Sequence, residues 1–317
     1  MKPSPNTSTA LTITAKSLLT QDICEYELSS ADNTLLPAAE AGAHIGVETP
    51  SGAWRQYSLV IPSEAPTAYS IAIKRDDKGR GGSLGVHEGW SVGDKVRISG
   101  PENNFALTSA SDYLLIAGGI GITPIYAMAQ TLVQQNQKVQ MIYCTRSRDE
   151  TAYANELQAL LGDSLTLHHD NGDPAQLYDY WDDFEQPRSA HVFCCGPAAL
   201  IEDVKSVSGH WSEGHIHFED FAGIQTVRND DTAFDVVLKK SERTISVPAD
   251  KSILEALREA GVQTVSSCES GTCGTCKSEL IAGDVDHRDR VLMDEEKSNK
   301  IMICVSRAKA GGLVLDL

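Results

Sequence analysis

The sequence predicts a multidomain chain in three parts: an antiparallel Greek-key β-barrel, a doubly wound parallel α/β sheet, and a small α+β domain built around a cysteine loop. Three observations carry this. Residues 9–100 fall into short alternating runs separated by Gly, Pro and Asp. From Tyr113 onward strands alternate with helices, the rhythm of a parallel sheet. Four of the eight cysteines gather in the last fifty residues with a spacing of their own. At 317 residues, 41% hydrophobic and 22% charged, the chain has room for two or three cores and an ordinary globular composition.

Taken in order, the barrel strands are read at Leu11–Thr14, Ile23–Leu28, Tyr57–Val60, Tyr69–Ile73 and Lys95–Ile98. Tyr113–Ala117 is then a buried strand followed by a glycine turn and a helix to about Gln134. Strands at Val139–Tyr143, Leu165–His168, Val192–Cys195 and Ile216–Phe218 follow, with helices at Thr151–Leu161, Pro174–Phe184 and Pro197–Val207. Ala222–Ala233 is polar and without pattern. After it come a hairpin (Phe234–Leu238, Thr244–Val247), a helix (Asp250–Ala260) and a closing strand (Leu313–Leu317). The domains are therefore set at 1–103, 104–224 and 234–317, with a linker at 225–233.

The most specific signal is Cys268-x4-Cys273-x2-Cys276 followed, after 27 intervening residues, by Cys304. Four thiolates at that spacing are the plant-type ligand set of a [2Fe–2S] cluster. Gly271, Gly274 and small hydroxyl residues let the loop turn sharply and aim N–H groups at an anionic object. A structural zinc site would present two paired knuckles, and only one Cys-x2-Cys pair exists. A disulfide framework belongs to small secreted domains, and Met1–Ala10 shows no apolar signal region. The remaining cysteines, Cys24, Cys144, Cys194 and Cys195, sit in apolar runs as buried free thiols. The most apolar window, Tyr113–Ala129, is broken by Gly118, Gly119, Gly121 and Pro124, so no membrane span is expected and the chain is placed in the cytoplasm.

Net charge is −17, distributed as −3 over residues 1–103, −12 over 104–231 and −2 over 232–317. No basic footprint exists, which excludes nucleic acid as a partner. The acidic middle is a solubility feature and names no partner by itself.

Two further sites are readable. Gly118-Gly119-Ile120-Gly121-Ile122-Thr123-Pro124 follows a strand and opens a helix, where a pyrophosphate can approach backbone at the positive helix end. Tight packing explains such a turn equally well. Its companions are Cys195-Gly196-Pro197 on the same sheet edge and Arg146 with Arg148 after the second strand, where the ribose of a dinucleotide would sit. Solvated loop arginines are the plain alternative for that pair. In the barrel, Arg55-Gln56-Tyr57-Ser58 lies on a strand, Lys74 and Arg75 end another, and Arg80-Gly81-Gly82-Ser83 opens a short helix, together an anion cradle of phosphate size. No segment obviously suited to an adenylate accompanies the cradle.

These motifs together (RQYS at 55–58, IKRD at 73–76, GRGGS at 79–83, AGGIGITP at 117–124, CCGP at 194–197, HFEDF at 217–221, SCESGTCGTC at 267–276 and DHRD at 286–289) resemble the phthalate dioxygenase reductase family. Its members are reductase components that feed Rieske-type aromatic-ring oxygenases, and the resemblance covers nearly the whole chain. It implies FMN held by Arg55, Gln56, Tyr57 and Ser58, by Ala72, Ile73 and Lys74, and by Gly81, Gly82 and Ser83. Thr123 and Phe221 are implied near the flavin, with NADH over Gly118–Pro124, Arg146 and Cys195–Pro197. NADH rather than NADPH is expected, because Asp149 and Glu150 beside the two arginines oppose a 2′-phosphate.

The implied activity follows from electron counting. NADH gives two electrons as a hydride, a [2Fe–2S] centre takes one, and a flavin can accept the pair and pass it on singly. No general acid or base is needed. The expected partner is a Rieske-type oxygenase component, and the chain is expected to act as a monomer. A self-contained redox-sensing flavoprotein is the alternative, but no effector- or DNA-binding segment supports it.

Overall fold

The computed structural model describes every residue except 1–7, 31, 33, 53, 78–80, 213, 222–226, 229, 267–270, 272 and 273. By its internal contacts the chain divides into two units, Pro5–Phe221 and Ala222–Leu317.

The first unit opens with β1 (Thr9–Leu18), β2 (Ile23–Ser29), β3 (Ala43–Glu48), β4 (Trp54–Ser58) and β5 (Ala68–Lys74). Helix α1 (Gly82–Gly89), β6 (Lys95–Ile98) and the short β7 (Glu102–Asn103) follow. The strands pair in the order β4-β3-β6-β1-β2-β5, every ladder antiparallel. A bridge between Leu59 and Ile71 joins the two ends, which closes the sheet into the expected barrel. Alternation decides what goes inside: Cys24, Tyr26 and Leu28 of β2 face inward with Leu11, Ile13, Ile45 and Ile71.

The chain then lays down β8 (Asp112–Gly118), α2 (Ile122–Gln134), β9 (Lys138–Thr145), α3 (Ala154–Leu161) and β10 (Leu165–His169). It continues through α4 (Trp181–Phe184), β11 (His191–Cys195), α5 (Ala198–Ser208) and β12 (Ile216–Glu219). The strands form a parallel sheet ordered β10-β9-β8-β11-β12. Winding runs outward from β8 to β10 and then reverses to β11, so the carboxyl ends of β8 and β11 flank the switch point where such sheets bind ligands. The central strands are buried on both faces and read as continuous apolar runs, as in Leu114-Leu115-Ile116-Ala117.

One expected helix is mostly absent. Pro174–Phe184 holds a single 3-10 turn at Pro174–Gln176 and the one-turn α4. Leu177 is extended (ψ 150°), and aspartates restart the chain on either side. Asp173 accepts from the Ala175 amide at 2.9 Å and Asp179 from the Trp181 amide at 3.0 Å. Short polar side chains here outbid continuous helix.

Barrel and sheet share a core. Ile23, Ala41, Val60, Ala72 and Phe105 of the barrel pack in one cluster with Leu115, Ile125, Met128 and Phe193 of the α/β domain. Gln130 of α2 donates to the Val60 carbonyl at 2.9 Å.

The second unit contains β13 (Phe234–Leu238), β14 (Arg243–Val247), α6 (Ile253–Glu259), β15 (Lys277–Asp286), β16 (Lys300–Met302) and β17 (Arg307–Leu315). They form a sheet ordered β14-β13-β17-β15-β16, antiparallel except for β13 with β17. Helix α6 starts with a capping box between Ser252 and Glu255, a device worth about 1 kcal/mol. Its apolar face, Ile253, Leu254 and Leu257, packs into the domain core.

Part of the segment read as linker is docked on this domain. Asp231 forms a two-pronged ion pair with Arg288 (2.5 and 2.8 Å) and a further one with Arg307 at 3.4 Å. All three side chains are at most 6% exposed. Arg307 donates to the carbonyls of Lys251, Thr232 and Pro248. A charge buried this deeply requires such pairing.

Candidate functional site: a sheet edge, an anion cradle and a cysteine loop

At the carboxyl edge of the parallel sheet, the glycines of the β8–α2 turn divide into two kinds. A Cβ on Gly121 would lie 2.2 Å from the Cys195 carbonyl oxygen, and one on Gly118 would lie 2.7 Å from both Pro197 and Leu200. A Cβ on Gly196 would lie 3.1 Å from the Gly118 backbone. These three let the turn and the end of β11 touch. Gly119 differs: its φ is +53° and nothing lies within 4 Å of its missing side chain. It is the glycine that leaves backbone open for a ligand. Tyr143 holds the turn by donating to the Gly119 carbonyl at 3.2 Å. Thr123, buried in the first turn of α2, donates to the Ile120 carbonyl at 3.1 Å, and Pro124 occupies the same turn. Pro197, exposed, opens α5.

Cys195 is fully buried, and burial pushes its thiol well above the ordinary range. Beside it in register lies Glu219 on β12. Burial pushes that carboxyl up to about 8, and its Oε2 has no hydrogen-bond partner among the described residues. A carboxyl held neutral can donate a hydrogen bond at this edge. The sequence reading quoted the 217–221 run but singled out only Phe221, which is 41% exposed at the end of the first unit. The signal overlooked was the acidic residue that ends an apolar strand. Arg146 and Arg148 are both exposed at the end of β9, with Asp149 and Glu150 in the same short turn.

In the barrel, Arg55, Gln56, Tyr57 and Ser58 run along β4. The start of α1 comes against them: a Cβ on Gly82 would sit 3.6 Å from Arg55 Nε. Gly81 is left-handed (φ 78°) with open space around it. A guanidinium over an open helix start fits a phosphate. Ser83 accepts from the Asp76 amide at 3.0 Å and keeps its own hydroxyl proton to donate. Tyr57 is half-buried, its hydroxyl pushed up to about 12 by burial against the opposing pull of Arg55, so it stays a neutral ring. Ala72 and Ile73 are buried on β5. Lys74 is less free than expected, since Asp22 holds its ammonium at 3.0 Å. Arg80 lies outside the described residues.

In the second unit, Cys276 and Cys304 are 3% and 2% exposed in one apolar cluster with Leu292, Ile303 and Val305. Gly271 (φ 74°) and Gly274 (φ 77°) are both left-handed, the turns a wrapped loop requires. Cys268 and Cys273 lie outside the described residues, and among the described residues no three His, Cys, Asp or Glu are grouped to hold a metal ion. Two buried thiols in one core, one of them beside a loop with two left-handed glycines, suit a sulfur-ligated centre. Cys24, Cys194 and Cys195 are buried thiols as expected, whereas Cys144 is only half-buried, its sulfur 3.3 Å from the Tyr180 hydroxyl.

Residues 236–309 match the family described as a 2Fe-2S iron-sulfur cluster binding domain, and 115–206 an oxidoreductase NAD-binding domain. Phthalate dioxygenase reductase of Burkholderia cepacia is 45% identical over 311 residues, 97% of each chain. The phthalate 4,5-dioxygenase oxygenase reductase subunit of Pseudomonas putida is 44% identical over 313 residues, 98% of this chain and 97% of that one. A solved phthalate dioxygenase reductase, described as a modular structure for electron transfer from pyridine nucleotides to [2Fe-2S], superposes with a TM-score of 0.87 over the whole of both chains at 44% identity. With that likeness from end to end, the chain belongs to the phthalate dioxygenase reductase family.

Proposed function

We propose that this chain takes electron pairs from NADH and delivers them one at a time to a Rieske-type oxygenase component, with phthalate dioxygenase, for which two relatives are named, as the partner. The observation that carries the reading is the pair of buried thiols, Cys276 and Cys304, in a C-terminal domain carried on the same chain as a nucleotide-type sheet edge and an anion cradle.

FMN, NADH and a [2Fe–2S] cluster supply the redox chemistry when bound, turning a two-electron hydride into single electrons. The chain's own residues bind and orient. Arg55 and the start of α1 at Gly81, Gly82 and Ser83 take the FMN phosphate, while Tyr57, Ser58, Ala72 and Ile73 line its ring. Lys74, already held by Asp22, sets the rim. Gly119 gives the NADH pyrophosphate its approach, Arg146 faces the adenosine side, and Gly118, Gly121, Gly196 and Pro197 keep the edge closed beneath it. Thr123 and Phe221 would lie near the flavin, and Cys195 with Glu219, paired in register on β11 and β12, would close the same sheet edge. Cys268, Cys273, Cys276 and Cys304 hold the cluster. No helix of the described residues is long and apolar enough to cross a membrane, and we place the reaction in the cytoplasm with the chain acting as a monomer.

Direction follows from class potentials: plant-type clusters near ~−400 mV and Rieske centres at roughly −150 mV or above differ by about four powers of ten for one electron.

Anaerobic titration of the purified protein with NADH tests the reading. The flavin absorbance should bleach together with the appearance of the spin signal of a reduced [2Fe–2S] centre, and acid extraction should release FMN. One zinc per chain without iron or sulfide, or FAD as the released flavin, contradicts it.

A further inference from the structure

Under the reading above, on which this inference rests, electrons leave through a [2Fe–2S] centre, and their direction depends on that centre's low potential. Such a potential is set by the charges and hydrogen bonds around the centre as well as by its ligands. The segment from His287 to Leu292 lies between the two parts of the cysteine set. Arg290 donates its amide to the Gly271 carbonyl at 3.0 Å, and a Cβ on Gly274 would meet Val291 at 3.3 Å. Leu292 then enters the core cluster that holds Cys276 and Cys304. At the other end Ser306, fully buried two residues past Cys304, accepts from the Arg288 amide at 3.3 Å.

In the middle of this segment sits a carboxylate whose side chain is 0% exposed, that of Asp289. Its Oδ2 accepts from the amides of Val291 at 3.1 Å and Leu292 at 2.8 Å, and the Ser306 hydroxyl reaches its Oδ1 from 3.5 Å. Amide donors suit a carboxylate but leave its charge in place. Among the described residues no cation neutralises it at close range. His287 Nδ1 lies 3.8 Å away, beyond hydrogen-bond reach, while its Nε2 donates to the Lys297 carbonyl at 3.0 Å. The Lys297 ammonium is held by Asp294 at 2.7 Å. Arg288 is turned toward Asp231 and Asp286, and Arg290 is exposed. The turn itself does not require the charge, since Asn or Ser makes the same bonds to following amides. A buried charge is costly, and this one lies where it acts on both parts of the ligand set.

We propose that the buried charge of Asp289, set between the cysteine loop and the Cys304 turn, holds down the reduction potential of the [2Fe–2S] centre. Reduction adds one electron to an anionic group, and a fixed negative charge in a poorly screened interior opposes it. The centre is thereby a stronger reductant toward a Rieske partner. One electron passes, the [2Fe–2S] centre is oxidised, the Rieske centre is reduced, and no atom is transferred.

The test is an anaerobic redox titration of the holoprotein, followed through the spin signal of the reduced centre, on protein whose iron and sulfide content is measured. At the wild-type midpoint, where half the centres are reduced, Asp289→Asn should raise the ratio of reduced to oxidised centre about tenfold, a shift of about +59 mV for one electron. Asp289→Ser, which also caps the turn without charge, should move it in the same direction. Asp294→Asn removes a charge from the same segment that is 92% exposed, and solvent screening should keep its change below about twofold. An unmoved midpoint in both Asp289 variants, or an equal shift in Asp294→Asn, overturns the proposal. Loss of iron and sulfide from both Asp289 variants overturns it as well, because the carboxylate would then build the site rather than tune it. Absence of the spin signal from the unmodified protein contradicts the broader reading instead, so the two failures are separable.

Discussion

Gly119 and Gly121 stand two residues apart and answer to different constraints. A Cβ at Gly121 would sit 2.2 Å from backbone oxygen, which no rotamer relieves. Gly121→Ala should therefore cost about 2 kcal/mol or more in urea unfolding, within the range for overpacking. Gly119→Ala meets open space and only the left-handed penalty, about 1 kcal/mol. It should weaken NADH more than it weakens the fold; equal stability losses at both positions would contradict the division. From sequence the two glycines look alike, since only the approach of β11, a strand seventy residues on, separates them. Glu219 was hidden for the same reason: burial of a carboxyl depends on neighbours that a linear pattern does not name. Its folded pKa, about 8, lies above that of an exposed glutamate. The unfolded chain thus releases this proton first, and stability falls as pH rises from about 4.5 to about 8, then levels. Glu219→Gln should unfold like wild type at pH 4.5 and be more stable by at least ~1 kcal/mol at pH 9, each displaced pH unit being worth about 1.4. Identical pH profiles for the two proteins would remove the buried-acid account.

At the scale of elements, period and punctuation revealed most of the strands and helices. Alternation placed β1, β2, β5 and β6, and the apolar runs placed β8, β9 and β11. The reading faltered where side chains compete with backbone, as at Asp173 and Asp179 in the expected helix before α4. It also missed how much of the polar stretch before β13 is structure. Asp231 looked like solvated linker, because its partners Arg288 and Arg307 are far along the chain. Asp231→Asn leaves Arg307 beside a neutral amide and Arg288 with Asp286 alone (2.7 Å), and should cost about 3 kcal/mol, the low end of the scale for breaking a buried pair. The loss should appear as earlier bleaching of the iron–sulfur absorbance in a thermal melt, with flavin release unchanged. The ion pairs hold the Asp231 carboxyl down to about 2. Its contribution is present above the unfolded value near 4 and is lost as pH falls through about 2. Unchanged cluster stability in Asp231→Asn would show that the pairs are not needed.

At the scale of the molecule, three cofactor sites on one chain were legible because each has local sequence marks: a cysteine spacing, a strand–glycine–helix turn, and an arginine ahead of a Gly-Gly-Ser helix start. The shared core of barrel and parallel sheet was not, since Ile23, Val60 and Ala72 read only as barrel strand residues. That shared core has a functional consequence. Under the proposed path, hydride transfer would need only the first unit, Pro5–Phe221, and export of electrons the second. The most direct measurement is therefore made on Cys273→Ala with normal flavin content, comparing NADH–ferricyanide turnover with NADH-driven reduction of a Rieske-type oxygenase. A small acceptor can collect electrons at the flavin, so the first activity should stay within about twofold of wild type, while the second should fall by a factor on the order of a hundred or more. Oxygenase reduction that persists at the wild-type rate without an intact cysteine set would contradict the path from NADH through flavin and iron–sulfur cluster to the partner.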